Sequence, residues 1–199
     1  MSDDGVNTTR RRFLTAATSV VGVAGVVGVA VPFVGSWQPN AKAKAAGAPV
    51  KFDVSKLERG EMKVVEWRGK PVYVVRRSAQ SLDELNSLDA SLKDPESVIS
   101  KQPSYIIGES RAINPEFMVL IGLCTHLGCA PKYRPELDSV ETTDGSEWIG
   151  GFFCPCHGSM FDLSGRVYKG VPASANLEVP PYSFESDSVI VIGIDQETA

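Results

Sequence analysis

The apolar residues of this chain fall into one long run near the N-terminus and several short ones further on. From Phe13 to Val34 no residue is charged, and the run of Val, Ala and Gly is 22 residues long. That predicts a helix close to the ~20 residues needed to span a bilayer. A cleavable export signal would carry a shorter apolar stretch of about 7–15 residues followed by a small-residue site. Ala41-Lys42-Ala43 matches such a site only formally, well past the run. The expectation is an uncleaved anchor over residues 13–35, with residues 1–12 cytoplasmic and the C-terminal bulk outside, because Arg10, Arg11 and Arg12 stay inside. Thr9-Arg10-Arg11-Arg12-Phe13-Leu14 also reads as a twin-arginine export signal.

Residues 36–50 are rich in Ala with Lys42, Lys44, Gly47 and Pro49, and show no apolar periodicity. They read as a linker, coil or helix being undecided because alanine favours helix. After it the apolar runs are short and predict an all-β domain over residues 51–199. Met62 to Trp67 and Pro71 to Arg76 flank Arg68-Gly69-Lys70 as a hairpin. Glu116–Leu123, Trp148–Phe153 and Ser188–Ile194 read as further strands. Ser81-Leu-Asp-Glu84 fits a capping box, and Leu82, Leu85, Leu88 and Leu92 continue at near-helical spacing, so one helix is expected to pack its leucines on the sheet. The stretch Ala130–Phe153 carries Glu136, Asp138, Glu141, Asp144 and Glu147 against Lys132 and Arg134, and reads as a solvated excursion.

A net charge of −4 gives no support to nucleic-acid binding. The chemistry lies elsewhere. All four cysteines and both histidines sit in two boxes, Cys124-Thr-His126-Leu-Gly-Cys129 and Cys154-Pro-Cys156-His157-Gly-Ser159. Two thiolates and two imidazoles can close a four-ligand metal site, with one cysteine over in each box. Structural zinc is the plain alternative, although zinc fingers group two Cys and then two His. Here each box has both types, the distribution that a [2Fe–2S] cluster with two Cys on one iron and two His on the other requires.

The two boxes resemble those of the Rieske iron–sulfur proteins, and more closely the Rieske subunits of cytochrome bc complexes. The resemblance implies an antiparallel β domain with a cluster-binding subdomain over about 120–173, behind one transmembrane helix. It implies Cys124 and Cys154 as ligands of the inner iron, His126 and His157 as ligands of the outer iron, and Cys129 with Cys156 as an inter-loop disulfide. Such a pair argues for an oxidising compartment, here the outer face of a bacterial inner membrane. Ser159 matches a serine that donates to a cluster sulfide. Phe161 stands where many relatives have a tyrosine that donates to a ligand cysteine. Gly170-Val171-Pro172-Ala173 is similar to the loop that covers the cluster, with Val171 an apparent insertion and Ser174 in place of a second proline.

The resemblance further implies a function. A cluster with imidazole ligands has a potential of about −150 to +300 mV, and a quinol can reduce a centre at the upper end. His157, with His126 beside it and Leu127 against the pocket, would meet quinol at cytochrome b, accept an electron and a proton, and pass the electron to a membrane-bound c-type cytochrome. The hinge would let the head move, and the complex would be a dimer. A relay subunit of a periplasmic molybdenum oxidoreductase is the other function class. Asn176-Leu-Glu-Val-Pro180 and the long anchor favour the quinol-oxidising subunit.

Overall fold

Asn7 begins the first element: its side chain accepts the Arg10 backbone N–H at 3.0 Å and caps helix α1, Thr8–Gly35. The computed structural model describes residues 5, 7–41, 43, 47–135, 140–141 and 147–196. The chain divides into two units, residues 1–45 and 46–199. α1 has 28 residues and a mean hydropathy of 2.1 over its most apolar window, long and apolar enough to cross a membrane. At 1.5 Å per residue it is about 42 Å long. Thr15 and Thr18 donate to the carbonyls of Arg11 and Leu14 one turn back, the kind of internal bond that lipid favours. The helix starts earlier than the apolar run. Arg10–Arg12 therefore form its first turns instead of a separate N-terminal arm. In the linker, Ala41 and Ala43 are helical and the Asn40 side chain caps them; Lys42 and Lys44 lie outside the described residues.

The second unit is built from small antiparallel sheets. β1 (Val50–Asp53), β10 (Tyr182–Ser186) and β11 (Val189–Ile192) form one, in the order β1-β11-β10. β2 (Met62–Trp67), β3 (Lys70–Arg76) and β4 (Phe117–Ile121) form the second, with β3 central. The third is β5 (Lys132–Arg134), β8 (Gly151–Cys154) and β9 (Ser159–Phe161), and a short pair joins β6 (Val140–Glu141) to β7 (Glu147–Trp148). This is the all-β architecture expected. The β2–β3 hairpin turns at Arg68 and Gly69, which both have positive φ, the geometry of a tight hairpin turn. The core runs through β3 and β4, where Val72–Val75 and Phe117–Ile121 are buried without alternation. Both faces of these strands are therefore covered.

Four sequence expectations change. Trp148–Phe153 is not one strand, because Gly150 and Gly151 both have positive φ and hand the chain from pairing with Val140 to pairing with Arg134. Ala130–Phe153 is not wholly a solvated excursion: Lys132–Arg134 pair with β8, and Trp148 is buried. Glu136, Asp138 and Asp144 fall outside the described residues. The helix begins at a different serine. Ser78 accepts the Ser81 N–H, α2 spans Ala79–Asp83, and the chain then tightens into a 3₁₀ helix over Leu85–Ser91. The three-residue steps Leu82-Leu85-Leu88 suit that tighter period; Leu85, Leu88 and Leu92 are buried as expected and Leu82 is half-buried. Finally, the closing strand Ser188–Ile194 is shorter, and its partner β10 had no clear signal.

Candidate metal centre

Two strands deliver the two boxes. β4 ends at Ile121, and Cys124 follows after Gly122 and Leu123. β8 ends on Cys154 itself, which pairs in register with Ser159 on β9, so the second box is the four-residue turn of a hairpin. Both boxes close the same way. Gly128 N–H donates to the Cys124 carbonyl at 2.9 Å, and Gly158 N–H donates to the Cys154 carbonyl at 3.0 Å. Each of these glycines has positive φ, a conformation that a Cβ disfavours. Tyr73 on β3 ties the two loops to the base: its hydroxyl donates to Pro131 O at 2.9 Å and its ring stacks on Phe152 of β8.

The donor atoms are sorted by depth. Cys124 and Cys154 carry free thiols and are 4% and 2% exposed, whereas His157 is exposed and His126 half-exposed. The two imidazole rings lie 4.8 Å apart between centroids, nearly perpendicular. Cys129 and Cys156 form a disulfide. The sulfur of Cys154 lies within 4.8 Å of both disulfide sulfurs. That triad is no ligand set, because two of its members are bonded to each other.

The remaining four residues fit a Cys2His2 cluster on two observations. His126 Nδ1 is buried with no hydrogen-bond partner, which is costly unless something else occupies its lone pair. Burial also pushes the Cys124 thiol up, with the backbone at His126 and the Ser159 hydroxyl opposing. A buried thiol of that kind becomes a thiolate when metal charge compensates it.

Ser159 is fully buried and its oxygen accepts the Ala173 N–H at 3.0 Å. Ala173 and Val171 are buried while Gly170 and Pro172 are exposed, and Leu127 is 71% exposed. Thr125 and Lys93 carried no sequence signal of their own. The Thr125 hydroxyl donates to Ala175 O at 2.6 Å, joining the first box to the covering loop. The Lys93 ammonium donates to the carbonyls of Val171 and Ala173 at 2.6 and 2.7 Å. Thr125 could have been suspected from its place inside the first box; Lys93 could not.

Behind the site lies a buried ionic cluster. Arg77, Arg111, Arg166 and Asp162 are almost fully buried, and Arg166 Nε donates to Asp162 Oδ2 at 2.7 Å. Burial pushes the guanidinium groups of Arg77 and Arg111 down to about 10, with Asp162 opposing. Both remain cations at neutral pH.

Comparison with known proteins agrees with this geometry. Residues 49–182 match the family described as the Rieske [2Fe-2S] domain, and residues 1–40 match one described as the ubiquitinol-cytochrome C reductase Fe-S subunit TAT signal. The chain is 54% identical over 199 residues to the ubiquinol-cytochrome c reductase iron-sulfur subunit of Allochromatium vinosum, covering 100% of this chain and 95% of that one. It is 43% identical over 195 residues to the subunit of the same name from Blastochloris viridis, covering 96% and 97%. It is 37% identical over 180 residues to the mitochondrial cytochrome b-c1 complex subunit Rieske of Saccharomyces cerevisiae, covering 90% and 73%. The apolar helix and the twin-arginine region fit a single-pass bacterial membrane protein. With a [2Fe–2S] domain over two thirds of its length and full-length relatives of one kind, this chain belongs to the Rieske iron–sulfur subunits of ubiquinol–cytochrome c reductase, the cytochrome bc complex.

Proposed function

We propose that Cys124 and Cys154 hold the inner iron and His126 and His157 the outer iron of the cluster, and that the histidine end is where quinol is oxidised. The burial of both thiols beneath two outward imidazoles carries this reading. When bound, the cluster supplies one-electron redox chemistry in the roughly −150 to +300 mV range. His157 reaches solvent, so a ring nitrogen not committed to metal can accept a quinol hydroxyl hydrogen bond and take its proton. His126, deeper and with Nδ1 unpartnered, is held in place and shields the thiols from water. Leu127 offers an exposed apolar contact beside them, suited to the mouth of a quinone pocket on cytochrome b.

Ser159 pairs across β8–β9 with Cys154, and its oxygen holds the loop 170–173 through the Ala173 N–H. The head, residues 51–199, would stand in the periplasm behind the anchor at 13–35, and the linker 36–50 would let it visit cytochrome b and then a membrane-bound c-type cytochrome. The proton taken at His157 is released on that outer side, within a complex expected to be dimeric.

The test is purification of the tagged full chain from detergent-solubilised membranes. Co-purifying b- and c-type haems, with quinol–cytochrome c reductase activity abolished by His157→Ala, are expected. A molybdenum partner in place of the haems would refute the assignment.

A further inference from the structure

The covering loop is anchored from a distant part of the chain. Segment 91–93 runs antiparallel to 167–169, with Lys93 N–H donating to Val167 O and Lys169 N–H to Ser91 O. This pairing sets Lys93 at the root of the loop. Its ammonium then bonds the carbonyls of Val171 and Ala173. Among the described residues no carboxylate lies within ion-pair distance of it. These two carbonyls bracket one peptide group, the one between Pro172 and Ala173. Its N–H is the donor to Ser159 Oγ.

A serine hydroxyl has one proton to give and lone pairs to receive. With a lone pair filled by Ala173, the hydroxyl proton is left for an acceptor other than the loop, and Ser159 stands opposite Cys154 in the β8–β9 pairing, at the edge of the second box. Pro172 stiffens the backbone between the two gripped carbonyls. A charged donor also makes the stronger bond, and bonds in series reinforce one another.

We propose that Lys93 is the positioning residue for the Ser159 hydroxyl: by gripping the carbonyls on both sides of the Ala173 amide it keeps that N–H on Ser159 and thereby raises the potential of the centre. The role rests on the ligand assignment proposed above.

A redox titration of the full chain in its membranes, followed through the EPR signal of the reduced centre, tests this. Lys93→Met is expected to lower the midpoint in the same direction as Ser159→Ala. Lys93→Arg should stay near wild type, and Lys93→Gln, a neutral and shorter donor, should fall between. In a Ser159→Ala background Lys93→Met should add little, because the two act in one chain. A Lys93→Met midpoint equal to wild type overturns the proposal. So does an equal drop in both backgrounds, which would make Lys93 a distant charge acting without Ser159. Should Lys93→Met hold no centre, Lys93→Gln is read by the same two criteria. Failure of the ligand assignment looks different: the signal then survives Cys124→Ser, whereas failure of the Lys93 role leaves the ligand variants silent and the midpoint unmoved.

Discussion

Asp162→Ala removes the buried carboxylate paired with Arg166, whose charge also opposes the downward shifts of Arg77 and Arg111. Its Oδ1 accepts the N–H groups of Ser164 at 2.9 Å and Arg166 at 2.7 Å, and its Oδ2 accepts Arg166 Nε at 2.7 Å. Arg166 would keep only Asp89 and the Leu85 carbonyl. Taking the buried carboxylate from a guanidinium that keeps these two partners costs up to about 3–5 kcal/mol, and each buried N–H left unpaired about 1–3 kcal/mol more, part of it recovered by relaxation. We expect a loss of about 4–6 kcal/mol, against a total stability of about 5–15 kcal/mol for a domain. Asp89→Ala is the control. Its carboxylate makes a bond of similar length, 2.8 Å, to the same guanidinium, but is 47% exposed, so the loss should be at most about 1 kcal/mol. Urea titration read by tryptophan fluorescence compares the two, and Asp162→Ala should move the midpoint by about 2 M or more. A shift no larger than that of Asp89→Ala would refute the view that the buried carboxylate, not the exposed one, holds Arg166.

Three further outcomes are expected. Phe161 lies two residues beyond Ser159 on β9, hence on the same face of the strand; Phe161→Tyr should raise the midpoint potential, and a redox titration showing no rise would count against a hydroxyl at that place reaching the sulfurs. Cys129→Ser should leave four ligands but speed bleaching of the visible absorbance on heating. The disulfide closes a 27-residue separation, a constraint of about 3.5 kcal/mol on the metal-free chain, while a bound cluster joins the same two loops and should mask part of that loss. Gly151→Ala places a Cβ 2.6 Å from the Asp162 carbonyl carbon at a φ of +129°; we expect about 3 kcal/mol or more of destabilisation, seen as poor yield and low iron content, and near-normal yield would contradict the clash.

The sequence was most informative where the signal is local. The hairpin at Arg68-Gly69, the apolar run of α1 and the spacing inside each box are set by residues within a few positions of each other. What escaped is non-local. β5 and β10 are short, and their partners decide them: Lys132–Arg134 becomes a strand only because β8 passes alongside. Arg77, Arg111 and Arg166 look like surface residues, yet Arg111 is satisfied by the carbonyls of Ser164 and Leu177, more than 50 positions away. The spacing Asp162-x-x-x-Arg166 was the one local hint of that cluster. Lys93 gave none, since its partners lie 78 and 80 positions downstream.

The depth sorting of the four cysteines has a bearing on how the protein matures. On the placement proposed above, with the domain exported folded, it would take up its iron in a reducing cytoplasm and meet oxidants only after crossing. In the folded domain Cys156 is exposed and Cys129 half-exposed, while Cys124 and Cys154 are buried. An oxidising catalyst arriving from outside therefore finds only the correct pair, and the wrong pairings are excluded by access alone. Alkylating reagents applied to the cytoplasmic precursor should label Cys129 and Cys156 and spare the other two. On that placement the disulfide would be the last covalent step in building the molecule, a seal set over a centre already in place.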